Sequence, residues 1–291
     1  MWRGRKTCSA SAKKHGIPIL PRFCSGWKKR IPNPMAAPDR FNRLAPVYDA
    51  LMAHVDYDRW FAICHELSSL LPPGFTHLDA ACGTGALLER TRNAGWISFG
   101  FDLSPAMLRN AATRTAAPLF VGNLEAIPVR AVDFITCLFD SMNFLLSPEA
   151  VRRALQAMAA ALKPGGLLYF DMVTELLMAE VFGNQSWVEP VGDFMLTWES
   201  RWFPESASCL TRLTRDGAVV FECEEKAYAT NVILELARQS GLEPLAVLDA
   251  RAWREPARDT TRIDYLFTPS PSRLDKTQVQ RVIEKIRYNL S

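Results

Sequence analysis

Apolar residues recur at steps of three and four at Phe41, Leu44, Tyr48, Leu51 and Val55, and again at Trp60, Ile63, Leu67 and Leu70. Each set lays one stripe along a helix. Pro46 falls inside the first set, so a turn followed by a helix is expected there. The second helix begins after Asp56-Tyr-Asp-Arg-Trp60 and runs through Leu71. From residue 76 the pattern changes. Short apolar runs at 76–81, 96–102, 118–121, 132–139 and 167–173 alternate with helical stretches, among them 105–115 and 147–162. Ser104-Pro105 and Ser147-Pro148 are helix starts, and Lys163-Pro-Gly-Gly166 is a helix stop. This alternation predicts an α/β fold around a parallel sheet.

Residues 174–230 break that rhythm. Phe194–Phe203, Cys209–Thr214 and Ala218–Glu225 alternate partially, with turns at Pro204 and at Asp216-Gly217. An Asp-Gly turn between alternating runs predicts a hairpin. The segment therefore reads as an antiparallel insertion after the fifth strand. Trp187, Phe194, Trp198, Trp202 and Phe203 are its candidates for a substrate pocket, with Trp198 and Trp202 foremost; aromatics in such strands also serve as core. The α/β pattern resumes with a helix capped by Thr230 and ended by Gly241, then strands at 245–248 and 263–267. Thr268-Pro-Ser-Pro-Ser is a linker. Asp275–Leu290 is amphipathic, with Val279, Val282, Ile283, Ile286 and Leu290 on one face, and either the domain or a partner could receive it.

The chemistry concentrates at Thr76-His-Leu-Asp-Ala-Ala-Cys-Gly-Thr-Gly85. A strand runs into a glycine turn and opens a helix. Gly83 and Gly85 allow backbone shapes that a Cβ forbids and let a ligand approach the main chain. Asp79 sets a carboxylate at the mouth of the turn. A dinucleotide fingerprint requires G-x-G-x-x-G, but here the third position is Leu88. Trp96-Ile-Ser-Phe-Gly-Phe-Asp102 is the next strand and ends in an acid 17 residues past Gly85, near the roughly 20-residue spacing at which an acid takes ribose hydroxyls.

The run Leu78-Asp-Ala-Ala-Cys-Gly-Thr-Gly85, with Asp102-Leu-Ser-Pro behind it, resembles motif I and the post-strand segment of the class I S-adenosylmethionine (SAM) dependent methyltransferases. The likeness covers roughly residues 39–268. It implies a Rossmann-like, seven-stranded, mostly parallel sheet with helices on both faces, an N-terminal helical lid and an antiparallel insertion after strand five. It also implies a cofactor site built from Asp79, Ala80, Ala81, Cys82, Gly83, Gly85, Asp102, Leu103, Met107, Asn123, Leu124, Phe139 and Asp140. Asp102 would bind the ribose and Leu103 would pack on adenine. Asn123 stands where the family usually has an acid for the adenine amino group; its carbonyl oxygen can still accept, and Glu125 is a second candidate. Phe41–Met52 with Asp56–Trp60 resembles the lid of the bacterial small-molecule branch, which carries Tyr48 to the methionine end of SAM. Phe139-Asp-Ser-Met-Asn-Phe144 resembles that branch's segment beside the transferable methyl, which makes Asp140 and Asn143 the substrate-side candidates.

Composition adjusts the picture at the ends. Of 34 basic residues, nine lie in residues 1–34 with no acid among them, leaving 25 against 31 acids in the remainder. The body is thus mildly acidic, which argues against a nucleic-acid-binding surface. Residues 1–34 read as a disordered leader. A mis-assigned start, with Met35 opening the chain, is favoured over an organellar transit peptide, which would place the protein in the mitochondrial matrix; a basic arm for RNA is the third reading. Seven scattered cysteines without a C-x-x-C suit a reducing, cytoplasmic compartment. No run of about 18 apolar residues signals a membrane span, and no metal-ligand spacing occurs.

Methyl transfer from a sulfonium needs alignment and little water. An amine acceptor needs little more, whereas a hydroxyl needs a general base, for which Asp140, His54 and Glu199 are candidates. The expected activity is N- or O-methylation of a small molecule. An RNA methyltransferase using the basic arm, a non-catalytic SAM-binding scaffold and an NAD-binding reductase are the alternatives. The oligomeric state is left open.

Overall fold

The computed structural model describes residues 37–290; the basic leader expected at 1–34 lies outside them. Two helices open the described chain, α1 (Ala37–Leu51) and α2 (Tyr57–Ser68). A βα alternation follows: β1 (Thr76–Ala80), α3 (Ala86–Asn93), β2 (Ile97–Asp102), α4 (Pro105–Arg114), β3 (Leu119–Val121) and β4 (Val132–Cys137). A 3-10 turn (Ser141–Phe144), α5 (Pro148–Ala161) and β5 (Leu162–Val173) come next. After β5 lie β6 (Gln185–Val191), β7 (Phe194–Phe203), β8 (Ser208–Arg215) and β9 (Ala218–Lys226), then α6 (Thr230–Gln239), β10 (Leu242–Asp249), β11 (Arg262–Pro269) and α7 (Lys276–Leu290).

Seven strands form the main sheet in the order β10-β11-β5-β4-β1-β2-β3. The strands from β3 to β5 pair in parallel, and β11 runs antiparallel to both β5 and β10. The sheet is therefore mostly parallel, as the alternation predicts. The chain winds outward from β1 to β3 and then returns to build β4 on the other side of β1. That reversal opens a crevice at the carboxyl ends of β1 and β4, where ligands bind in open α/β sheets.

Both faces of the sheet are covered. Leu78, Ile135, Leu168 and Phe170 pack against Val151, Leu155 and Met158 of α5 and Ile233 of α6. Phe134, Leu167 and Leu266 pack on the other face against Ile63 and Leu67 of α2 and against Val279, Ile283 and Ile286 of α7. The C-terminal amphipathic helix thus docks on the domain's own core, and Lys285 reaches Glu66 at 2.7 Å. Burying each such side chain contributes about 1.5–3 kcal/mol.

The insertion is a four-stranded antiparallel meander in the order β6-β7-β8-β9, turned at Asp216-Gly217 with both φ positive. Its first strand, β6, carries too little alternation around Pro190 to be read from sequence. The inner face of the meander, through Leu196, Leu213 and Phe221, packs on Phe41, Leu44 and Tyr48 of α1. The lid helix therefore lies between the covering sheet and α4.

Two local expectations are corrected. Helix α1 continues through Pro46, because tertiary bonds hold the turn that precedes it. Asn42 accepts from Ser104 Oγ (2.7 Å) and Ala106 N (3.1 Å), and the Ala45 carbonyl accepts from Asn110 Nδ2 (2.8 Å). Thr230 is the first residue of α6 rather than its cap; Ala229 occupies the cap position without a side-chain bond.

Candidate functional site

The turn after β1 is built from positive φ angles. Ala81 (56°), Gly83 (54°) and Gly85 (77°) all adopt them, a sequence that brings the backbone around tightly before α3. A Cβ on Gly85 would sit 3.0 Å from the Ala111 Cβ, so α4 closes directly on the turn. Leu88, in place of the third glycine of a dinucleotide site, is fully buried. The room for it comes from the opposite strand, where a Cβ on Gly100 would meet Leu88 at 2.5 Å and Cys82 Sγ at 3.0 Å. The close approach of helix and strand is thus kept with the small residue moved across to β2.

Asp102, at the end of β2, accepts from Gly83 N (2.9 Å, Oδ2) and Ser104 N (2.8 Å, Oδ1). One backbone bond on each oxygen fixes the carboxylate plane and leaves further lone pairs on both oxygens for a ligand diol. Burial raises its pKa, and these backbone bonds pull the other way. Asp79 is almost fully buried and accepts from Thr136 Oγ1 (2.7 Å). Burial pushes it up to about 7 against that hydrogen bond, and Asp102 adds to the rise. Behind Thr136 lies His77, with Nε2 2.9 Å from Thr136 Oγ1 and Nδ1 3.0 Å from Ser98 Oγ. The single Thr136 hydroxyl proton goes to Asp79, so His77 donates from Nε2 and accepts at Nδ1. Burial drives its pKa down to about 3, which keeps it neutral.

The lid is fastened to this turn. Thr84 Oγ1 donates to Asp49 Oδ1 (2.6 Å), and Arg114 of α4 donates to Asp49 Oδ2 (2.8 Å). That latch sets Tyr48 over the turn, about 3.9 Å from where a Gly83 Cβ would stand. The Tyr48 phenol is raised by burial first, then by Tyr57, Asp140, Asp102 and Asp49. Tyr48 thus bridges the glycine turn and the end of β4.

At that end the chain twists through two further positive φ values, Phe139 (61°) and Asp140 (52°). These are strained for non-glycine residues, and they turn the Phe139 ring onto Tyr57 and Trp60, 5.2 and 5.4 Å away. The Arg262 guanidinium, at the start of β11, reaches Asp140 Oδ1 through both terminal nitrogens (3.1 and 3.2 Å) and also binds Asp171 Oδ2 of β5. Asp171 further accepts from Asp140 N (3.2 Å). Glu225 of β9 is buried on the same side, and its pKa is raised by burial first and then by Asp140. Arg262, Asp171 and Glu225 were not anticipated. Asp171 carried the signal: an acid inside the apolar run Leu167-Leu-Tyr-Phe-Asp-Met-Val173 demands a buried partner.

The remaining expected residues divide. Ala80 and Met107 are buried beside the turn, and Leu124 is buried in the main core. Leu103 and Cys82 are half-buried, and Cys82 N extends the ladder to Phe101 O (2.9 Å). Asn123 is exposed and its Oδ1 caps Glu125 N (3.0 Å), while Glu125 itself pairs with Arg153 (2.7 Å). Asn143 is revised. It is fully buried, donates to Val173 O and Lys226 O, and accepts from Val173 N (3.0 Å), so it ties β5 to β9. Trp198 packs with the lid cluster and Trp202 with a separate cluster around Val173 and Met178, so the two do not line one wall. Trp187 stacks on Trp198 at 5.2 Å, and the Trp198 indole N–H has no partner among the described residues. His54 sits exposed in the turn after α1, its Nδ1 on Leu51 O (3.0 Å).

Residues 78–166 match a family model described as a methyltransferase domain. A solved S-adenosylmethionine-dependent methyltransferase from Clostridium acetobutylicum ATCC 824 superposes with a TM-score of 0.69 at 26% identity, covering 79% of this chain and 98% of that one. YqeM of Bacillus subtilis (strain 168), named as a methyltransferase, is 30% identical over 166 residues, 55% of this chain and 66% of its own length. The chain belongs to the S-adenosylmethionine-dependent methyltransferases. A dTDP-4-amino-2,3,4,6-tetradeoxy-D-glucose N,N-dimethyltransferase of Saccharopolyspora spinosa is 35% identical over 133 residues, 44% of this chain and 53% of that protein. The curated relatives are thus matched over about half to two thirds of their length.

The methyltransferase cofactor, SAM, suits the donor set. It carries an ammonium and a sulfonium, and no basic residue is among the groups that perturb Asp79. A cationic ligand would supply a counter-charge to that carboxyl. No group of His, Cys, Asp and Glu among the described residues could hold a metal ion. No described helix is long and apolar enough to cross a membrane.

Proposed function

We propose that this methyltransferase transfers a methyl group from SAM to a nitrogen or oxygen of a small molecule. The observation that carries this reading is the enclosure of Asp140. Lid helix, covering sheet and β11 all meet at it, through Tyr48, Glu225 and Arg262. A site assembled from three elements, with the Asp140 side chain 24% exposed, admits a compact acceptor more readily than a polymer. Asp102 takes the ribose hydroxyls, Asp79 the ammonium, and Tyr48 packs at the methionine end. SAM supplies the activated methyl. The protein aligns the acceptor and keeps the site dry, and Asp140 receives the acceptor's proton. The five described cysteines are all free thiols, in keeping with the cytoplasmic location we assign.

Mass spectrometry of the full chain with SAM and a panel of small amines and alcohols, with bulk RNA in parallel, tests the reading. Methylation of a small acceptor is expected. Methylation of RNA alone would replace it with the nucleic-acid reading.

A pH dependence follows from Asp79. With its pKa near 7 in the free protein, the carboxylate is half protonated at neutrality, and only the ionised form pairs with an ammonium. Ligand binding therefore lowers that pKa. Affinity for S-adenosylhomocysteine is expected to be full above about pH 7 and to fall by up to about tenfold per unit below it. Asp79→Asn should flatten the calorimetric profile.

A further inference from the structure

A chain of hydrogen bonds runs along the face of the sheet that α2 covers. Ser98 Oγ lies 3.0 Å from His77 Nδ1, His77 Nε2 lies 2.9 Å from Thr136 Oγ1, and Thr136 Oγ1 donates to Asp79 Oδ1 at 2.7 Å. The strand register builds it. On β1, His77 stands opposite Ser98 of β2, and Asp79 stands opposite Thr136 of β4. All four residues are buried, and the imidazole sits among rings, with Trp96 and Phe134 each 5.4 Å away. A polar chain in an apolar layer is costly unless every link is satisfied. This one reaches the ligand crevice through Asp79, at the carboxyl end of β1. Thr136 holds Asp79 Oδ1, and Oδ2 is left for a ligand.

We propose that His77 is a positioning residue for the cofactor: its Nε2 proton occupies a lone pair of Thr136, aims the threonine hydroxyl at Asp79, and so keeps that carboxylate placed for the ammonium of SAM. The proposal rests on the methyltransferase reading and deepens it at the methionine end of the same site.

The bond directions follow from the donors available. A threonine hydroxyl has one proton and two acceptor lone pairs. With its proton on Nε2, the imidazole can only give to Thr136, and the threonine proton is left for Asp79. With its proton on Nδ1, Nε2 becomes an acceptor and competes with Asp79 for that same proton. Ser98 suits the first arrangement, because its hydroxyl can donate to Nδ1. Burial drives the His77 pKa down to about 3, so the ring stays neutral and keeps one donor and one acceptor. A histidine that merely filled the core would serve the sheet as a whole and would favour no part of a ligand.

The test compares two ligands by calorimetric titration of the full chain. S-adenosylhomocysteine carries the ammonium, and methylthioadenosine lacks the amino-acid end. In His77→Phe the ring volume is kept and the donor is lost; in Thr136→Val the link to Asp79 is cut. Both variants are expected to bind S-adenosylhomocysteine about two- to tenfold more weakly, the range of one net hydrogen bond, and methylthioadenosine as tightly as wild type does. Equal losses for the two ligands overturn the proposal, because a general fault in the sheet weakens both. No loss for either overturns it too. Nitrogen NMR of the wild type saturated with S-adenosylhomocysteine reads the tautomer without any substitution. A proton on Nε2 is expected, and a proton on Nδ1 overturns the proposal even where the variants fail to fold. A wild type that binds no S-adenosylhomocysteine overturns the methyltransferase reading instead; binding with any of the contrary results removes this role of His77 alone.

Discussion

Asp102→Ala is expected to weaken S-adenosylhomocysteine binding by roughly tenfold or more, about 1.4 kcal/mol. Two losses combine. The ribose hydroxyls lose their acceptor, and a polar group that enters a buried site unpaired carries about 1–3 kcal/mol of desolvation. Gly83 N and Ser104 N also lose theirs, so the glycine turn loses the brace that ties it to β2. Asp102→Asn separates the two effects. Its single carbonyl oxygen restores one backbone bond and removes the charge, so the melting temperature should recover further than the affinity. Calorimetric titration of both variants checks this. Unchanged affinity in Asp102→Ala would remove the residue from the cofactor site.

The second large effect is on stability. Arg262→Met leaves Asp140 and Asp171 without the cation they share, and Asp171 is fully buried. Breaking a buried pair by removing one partner is destabilising by about 3–5 kcal/mol. We expect a loss at the lower end of that range at neutral pH, since relaxation and proton uptake relieve part of the penalty. The sign with pH follows from Asp171, whose pKa burial raises and Arg262 lowers. Without the guanidinium it rises further, so the buried acid is protonated over a wider range. The deficit relative to wild type should therefore shrink as pH falls from neutral towards the ordinary carboxylate value of about 4. Denaturant unfolding at two pH values measures it; a deficit independent of pH would mean that the Arg262→Met variant fails by packing alone.

The cofactor end was legible in the sequence because its determinants are local. A strand, a glycine turn and an acid at the next strand's end follow one another closely along the chain and fix their own geometry. The acceptor end was not, because it is assembled across the fold. Arg262 lies 122 positions from Asp140, and Glu225 arrives from a sheet whose register places it opposite Cys209. No local pattern announces such a meeting; only Asp171, an acid in a buried strand, pointed to it. Pro46 misled for a related reason. Its local effect is to break a helix, but the bonds from α4 to Asn42 and Ala45 outweigh it. Asn143 sits in a segment that resembles the substrate side, yet its amide is committed to the backbone of β5 and to Lys226.

The most direct measurement is a calorimetric titration of the full chain with S-adenosylhomocysteine, with NAD as the control. The account predicts micromolar binding of the first and none of the second, because Leu88 and Gly100 shape the turn for a ligand without a pyrophosphate and the acids lining it attract an ammonium. Binding of NAD, or of neither ligand, would contradict it and would reduce the turn after β1 to a structural bend.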